Sequence, residues 1–125
     1  MSIATDPFTS GTATDTRDWV PVCPLDRLEP ERGVAALVDG AQVALFRTGD
    51  ELFALDNLDP VGGAYVLSRG IVGSRGGTPT VASPLHKQVY DLRTGACLDL
   101  PGVAVLRYDV RCRDGMVEVR LRREG

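Results

Sequence analysis

The sequence predicts an all-β fold, a small antiparallel sandwich or barrel. Short apolar runs follow one another at intervals of about ten residues, and Gly, Pro, Asn and Asp separate them. No run keeps an apolar 3.6-residue period over three turns, so helices are not indicated. With 125 residues, 43% of them hydrophobic, the chain is long enough for one core and too short for two.

The predicted elements begin after a polar N-terminal segment. Residues 1–17 carry only scattered apolar groups, which cannot offset the entropy of ordering, so we expect a disordered arm followed by one β domain over residues 18–125. The segment "PLDRLEPERG" allows only a short turn before a strand. The strand-like runs are "WVPVC", "GVAALVDG", "QVALFRTGDELFALDN", "TPTVASP", "KQVYDLRTG" and "VLRYDVRCRDGMVEVRL".

Two turn signals predict hairpins. Gly49 and Gly115 interrupt apolar runs at "TGDE" and "RDGM", and glycine supplies the positive φ that tight turns need. Alternation in "VLRYDVRC" separates two faces, of which one is core. The first face holds Val105, Arg107, Asp109 and Arg111, and the second holds Leu106, Tyr108, Val110 and Cys112.

Charge and cysteine content restrict the class of protein. The chain has 14 basic and 17 acidic residues, a net charge of -3, which predicts no nucleic acid and no membrane as partners. No apolar run reaches the ~18 residues of a membrane span, and no signal peptide is evident, so a cytoplasmic protein is expected. The 3 cysteines lack CxxC spacing and are predicted to be reduced, buried thiols.

Motifs of catalysis are missing from the sequence. It contains no G-x-S-x-G, no HExxH and no glycine-rich phosphate loop at a strand-to-helix junction. The basic "GSRGGT" run lies between two predicted strands with no helix after it, which disfavours phosphate binding. We therefore predict no catalytic and no cofactor-binding residues.

Two loops carry the most specific signal. The stretches "DNLDPVGG" and "SPLHKQVYDLRTG", together with the closing hairpin, resemble a Rieske-type iron–sulfur domain over most of residues 18–122. In that family a CxH loop and a CxxH loop bind a two-iron cluster, with thiolates on one iron and imidazoles on the other. The resemblance places Asp59 and Val61 at the first Cys and His positions, and Ser83 and His86 at the second pair.

The resemblance therefore implies a cluster site that has lost three of its four ligands. A two-iron cluster needs soft thiolates, so we expect no [2Fe-2S] cluster in this chain. His86 with Asp56 or Asp59 gives only a weak signal for a divalent ion, and no metal ligand is predicted. A hydrogen-bonded His86 beside a loop is the favoured interpretation, and Asx-turn chemistry is favoured for Asp56, Asn57 and Asp59.

Without a cluster, another contact has to hold the two loops together. We expect apolar packing between the loop tips, through Pro60, Val61, Pro84 and Leu85, to replace the metal. For the glycine pairs at 62–63 and 76–77, plain turn geometry is expected.

Among Rieske-like proteins, the second loop is similar to the small subunit of cytoplasmic NADH-dependent nitrite reductase. The similarity lies in Ser83, Pro84, Gln88, Leu92, Gly95, Cys97 and Leu98. It implies a non-catalytic accessory subunit, whose partner is a large nitrite reductase subunit carrying FAD, [4Fe-4S] and sirohaem that reduces nitrite to ammonium with electrons from NADH, in nitrate assimilation.

The subunit interface is predicted at the loop tips. Its candidate residues are Pro60, Val61, Leu85, His86, Lys87 and Gln88. Two alternatives remain open: a cluster-bearing ferredoxin of the Rieske type, which would be red-brown, and a free-standing binding module, which would have no stable large partner.

Overall fold

A computed structural model describes residues 19–121, so the predicted arm over residues 1–17 lies outside the described part of the chain. The described strands are β1 (Val20–Pro24), β2 (Val34–Val38), β3 (Ala41–Thr48), β4 (Glu51–Asp56), β5 (Ile71–Arg75), β6 (Thr78–Ala82), β7 (Val89–Asp91), β8 (Arg107–Arg113) and β9 (Met116–Arg120). Two single 3₁₀ turns, Leu25–Arg27 and Leu67–Arg69, interrupt this series. The predicted all-β class is confirmed.

The strands form two antiparallel sheets. The larger sheet has the order β1-β9-β8-β4-β3-β2, and the smaller has the order β5-β6-β7. The edge strands β1 and β2 of the larger sheet contact each other, so this sheet curls into a nearly closed barrel. Within residues 19–121 we find no helix with the length and apolar character of a membrane span.

Alternation along β3 and β4 supplies two apolar cores. Phe46 pairs with Phe53 on one face, and Leu45 pairs with Ala54 on the other. The first face packs against Val81 and other apolar residues of the smaller sheet. The second face lies inside the curled sheet with residues of β2, β8 and β9. Because β3 and β4 are buried on both faces, they bind the two sheets into one unit.

Both predicted hairpins are confirmed. Gly49 (φ 58°) lies in the turn between β3 and β4, and Gly115 (φ 78°) lies in the turn between β8 and β9. The run "PLDRLEPERG" forms one 3₁₀ turn, as expected.

The predicted alternation around β8 is correct only for Tyr108 and Val110, which pack in the core inside the curled sheet. Tyr108 is buried, but Leu106 on the same predicted face is 51% exposed, while Val105 on the opposite face is buried. The reason is that β8 begins at Arg107, so the preceding residues do not follow the pleat. Of the cysteines, Cys97 is buried, Cys23 is partly buried and Cys112 is exposed, so the expectation of buried thiols is wrong for the last.

Candidate functional site

Two loops lie at the end of the molecule where β4 and β6 finish. Loop 1 comprises residues 57–66 and leads from β4 to the second 3₁₀ turn, and loop 2 comprises residues 83–88 and joins β6 to β7. They meet at Gly62, where a Cβ would lie 3.0 Å from Cδ1 of Leu85 and 3.1 Å from Cδ2 of His86. The absence of a side chain at Gly62 leaves room for the side chains of loop 2, whereas Gly63 (φ 74°) serves turn geometry as predicted.

Loop 1 is shaped by the side chain of Asn57. This residue is 2% exposed, its Oδ1 accepts the N–H of Ser68 at 2.7 Å, and its Nδ2 donates to the carbonyl of Tyr65 at 3.2 Å. Asp56 accepts the N–H of Leu58 at 3.3 Å in an Asx turn. The expected turn chemistry therefore describes Asp56 and also Asp59, which accepts the N–H of Val61 at 2.9 Å, while Asn57 reaches across the whole loop.

Loop 2 is a tight turn closed by the backbone of Ser83. The Ser83 carbonyl accepts the N–H of Lys87 at 3.0 Å, and the Ser83 N–H donates to the carbonyl of Gln88 at 2.9 Å. To complete the turn, Lys87 adopts φ 63°, in the left-handed region that residues with a Cβ rarely occupy. The turn thus holds an exposed lysine in a conformation that suits glycine.

A buried carboxylate joins the two loops. Oδ2 of Asp59 accepts the hydroxyl of Ser83 at 2.5 Å, and Oδ1 accepts the N–H of Val61 at 2.9 Å and the hydroxyl of Tyr90 at 3.2 Å. Asp59 and Tyr90 are 0% exposed, and Ser83 is 1% exposed. The side chains of Asp59 and Ser83, which the sequence places at the two Cys positions of the Rieske pattern, are therefore in direct contact.

The hydrogen bonds keep this carboxylate charged. Burial raises the pKa of Asp59, but hydrogen bonds from two hydroxyls and two backbone amides outweigh burial, so the pKa lies below its usual range. Burial raises the pKa of Tyr90 far above its usual value, and the neighbouring charge of Asp59 raises it further. At neutral pH the Tyr90 hydroxyl therefore stays protonated and donates to the Asp59 carboxylate, which stays ionised.

The prediction that apolar packing joins the loop tips is wrong. Val61 is 40% exposed, Leu85 is 48% exposed, and both Pro60 and Pro84 are exposed. The side chains that were expected to pack together are largely exposed. Hydrogen bonds and the close approach at Gly62 hold the loops together instead.

The predicted polar contact residues differ in their exposure. Lys87 and His86 are exposed, and within residues 57–66 and 83–88 Lys87 is the only exposed side chain with a formal charge. His86 lies against Gly62 and has no hydrogen bond within the described residues, so the expected bond is not formed. The side-chain oxygen of Gln88 is buried, with no partner in the described part of the chain, so it does not face outward.

The side chains at this end do not fit a two-iron cluster. Neither Asp59 nor Ser83 offers a thiolate, Val61 has no donor atom, and His86 is the single imidazole. The oxygens of Asp59 and Ser83 are already hydrogen-bonded to each other. Across residues 19–121, no three His, Cys, Asp or Glu side chains lie close enough together to hold a metal ion.

One residue of this site escaped the sequence analysis. Tyr90 lies in β7 between Val89 and Asp91 and was taken as part of a strand, although its hydroxyl completes the contact with Asp59. The available signal was chemical, because a tyrosine at an inward-facing strand position needs a hydrogen-bond partner for its hydroxyl. Nothing in the sequence indicated that the partner lies 31 residues away.

Comparison with known proteins agrees with this architecture. Residues 18–120 match the model of the Rieske-like [2Fe-2S] domain. The nitrite reductase (NADH) small subunit of Salmonella typhimurium is 43% identical over 104 residues, covering 82% of this chain and 96% of that protein. A crystal structure of an NADH-dependent nitrite reductase small subunit from Mycobacterium tuberculosis superimposes with a TM-score of 0.79 at 48% identity, covering 82% of this chain and 93% of that one.

A second relative has a different length. The nitrite reductase [NAD(P)H] large subunit of Klebsiella oxytoca is 44% identical over 107 residues, which cover 86% of this chain and 11% of that protein. The chain thus spans about a tenth of that relative and nearly all of the Salmonella one. The fold and the two loops define a Rieske-like domain. Within that class, the chain belongs to the family of nitrite reductase (NADH) small subunits.

Proposed function

We propose that this chain is the accessory small subunit of a cytoplasmic NADH-dependent nitrite reductase. It holds no iron–sulfur cluster of its own and acts by docking loops 1 and 2 on the large subunit. That subunit carries FAD, [4Fe-4S] and sirohaem and reduces nitrite to ammonium. The observation that carries the proposal is the 43% identity over 96% of the Salmonella small subunit.

The Klebsiella relative supports the partnership with a large subunit. In that protein a segment similar to this chain makes up 11% of one large-subunit polypeptide. In that organism the similar domain is covalently joined to the rest of the large subunit. We therefore expect a separate chain with the same fold to bind a large subunit non-covalently.

The donor chemistry of the site supports the absence of a cluster. Replacement of both Cys positions by oxygen-bearing side chains removes the soft ligands, and Val61 removes one imidazole. The same chemistry disfavours a ferredoxin of the Rieske type, because electron transfer by that class needs the cluster.

The exposed surface of the loops supports docking. Val61, Tyr65 and Leu85 are 40%, 52% and 48% exposed, and Lys87 supplies one charge among them. Protein interfaces have such a composition at their centre, with apolar and aromatic side chains and few charges. A free-standing binding module would present the same surface, so only recovery of a partner distinguishes it.

The test is affinity purification of the full chain from cells grown on nitrate, followed by spectra and an NADH-dependent nitrite reduction assay. We expect a large sirohaem-bearing partner whose activity falls when this chain is removed. A solitary, colourless protein would overturn the proposal.

Two variants test the docking surface in the same assay. Leu85→Asp and Lys87→Glu should each reduce recovery of the partner, since both alter exposed side chains at the loop tips. Arg113→Glu is the matched control, because Arg113 is exposed at the opposite end of β8, about 20 Å from the loop end. If only the control variant loses the partner, another face docks.

A further inference from the structure

The contact between the loops suggests a role of its own. We propose that Asp59, Ser83 and Tyr90 form a hydrogen-bonded clamp that fixes loops 1 and 2 to each other without a metal and thereby presets the docking surface. The clamp itself follows from contacts within this chain. Its consequence for docking rests on the proposed function.

The clamp residues come from three separate segments of the chain. Asp59 belongs to loop 1, Ser83 to loop 2 and Tyr90 to β7 of the smaller sheet. Both oxygens of the carboxylate accept hydrogen bonds, at 2.5 Å from Ser83 and at 3.2 Å from Tyr90. Hydrogen bonds to an ionised acceptor are roughly twice as strong as neutral ones, so one side chain crosslinks both loops to the sheet.

Burial makes the clamp sensitive to the loss of any donor. A carboxylate in a dry environment is stable only when its hydrogen bonds are complete. Removal of the Ser83 hydroxyl leaves Oδ2 of Asp59 without the side-chain donor that it has in the intact chain. We expect the loops to separate until water reaches that oxygen, because a hydrated carboxylate oxygen has a lower free energy than a buried one without a donor.

The clamp also holds the backbone beneath the exposed apolar side chains. Oδ1 of Asp59 binds the N–H of Val61 at 2.9 Å, and Oγ of Ser83 accepts the N–H of Leu85 at 3.3 Å. Val61 and Leu85 are the apolar residues that the proposed function assigns to the contact with the large subunit. Their position is therefore set before the partner arrives, which lowers the entropy lost on association.

Amide hydrogen exchange on the isolated full chain tests the clamp directly. In Ser83→Ala and in Tyr90→Phe, the amides of Val61 and Leu85 should exchange at least about tenfold faster, as expected from losing a hydrogen bond to a charged group. The amide of Leu55, in the buried strand β4, should change less. Ser74→Ala, at an exposed serine of β5, is the matched control and should leave all three unchanged.

Equal acceleration at Val61, Leu85 and Leu55 would mean uniform destabilisation and would overturn the clamp. If Ser83→Ala fails to fold, Tyr90→Phe decides the question, because it removes the longer bond and leaves the shorter one intact.

Association kinetics with the large subunit separate the clamp from the proposed function. Both variants should slow association more than they speed dissociation, since loose loops reduce the fraction of docking-competent chains. Faster exchange in the loops with unchanged association would keep the clamp and overturn docking through the loops. Slower association without faster exchange would overturn the clamp.

Discussion

At the scale of single residues, loop 2 contains a conformation that its side chain does not favour. Lys87 has φ 63°, and a residue with a Cβ in the left-handed region loses about 1–2 kcal/mol. Lys87 makes no ion pair within the described residues that would offset this cost. Such local strain is typical of functional positions, which agrees with the place of Lys87 at the proposed interface.

Lys87→Gly should stabilise the isolated chain. Glycine removes the strain but adds entropy to the unfolded chain, so we expect a net gain of roughly 0.5–1 kcal/mol in the free energy of unfolding. Urea unfolding measures it. Asp114→Gly, at φ 53° in the turn between β8 and β9, should gain less, because aspartate tolerates this region better than lysine. A loss of stability in Lys87→Gly would contradict the argument.

The buried carboxylate predicts a dependence on pH. The pKa of Asp59 is lower in the folded than in the unfolded chain, so its contribution is complete above the unfolded value of 3.8 and is lost as the pH falls through the folded value. Between pH 5 and acid denaturation, the wild type should therefore lose more stability than Asp59→Asn.

Thermal unfolding over this pH range measures the difference. Burial raises the pKa of Asp56, which opposes the effect of Asp59 in the wild type but is the same in both proteins. The comparison therefore isolates Asp59. Parallel stability curves for the two proteins would show that the carboxylate is not stabilised in the folded chain.

At the scale of elements, the segment between β7 and β8 is held by a glycine turn. Gly95 donates its N–H to the carbonyl of Asp91, and its own carbonyl accepts the N–H of Val105, both at 2.7 Å. A Cβ on Gly95 would lie 2.1 Å from the Val105 carbonyl oxygen, and φ is +84°. Conformation and space both require glycine at this position, so the turn fixes where β8 begins.

Gly95→Ala should lower the free energy of unfolding by about 3 kcal/mol, the sum of left-handed strain and overlap with the Val105 carbonyl. Gly102→Ala is the matched control, because φ is +81° but no atom lies within 4 Å of its Cβ position. It should lose only about 1 kcal/mol. Chemical denaturation measures both, and equal losses would show that space around Gly95 is not limiting.

At the scale of the whole molecule, the two sheets bring the loops into one site. Tyr90 and Val81 of the smaller sheet pack in the same core as Phe46 and Leu55 of the larger sheet. The core therefore sets the distance between loop 1, which follows the larger sheet, and loop 2, which lies within the smaller one. The two sheets keep the loops together although three of the four side chains at the former ligand positions differ from the Rieske pattern.

Restoring the ligand types should restore cluster binding. The triple variant Asp59→Cys, Val61→His and Ser83→Cys, with His86 unchanged, should take up iron and sulfide on reconstitution and become coloured. The wild type should stay colourless, and Asp59→Cys with Ser83→Cys alone should bind iron less stably. Absorption and electron paramagnetic resonance spectra measure the outcome. A coloured wild type would overturn the proposed absence of a cluster.

The sequence alone was sufficient to predict the β class, both glycine hairpins and the presence of the two loops. These features depend on local signals: alternation, turn residues and a spaced motif. It failed at Val105 and Leu106, because a strand boundary depends on pairing across the sheet, here between Arg107 and Leu55.

The tertiary structure alone decided what holds the loops together. Four apolar residues near the tips suggested apolar packing, yet the structure joins the loops through Asp59, Ser83 and Tyr90. The distance in sequence explains the failure, since Asp59 lies 24 residues from Ser83 and 31 from Tyr90. Only the shared core brings these groups together, and only their burial turns a loop aspartate, a loop serine and a strand tyrosine into a crosslink.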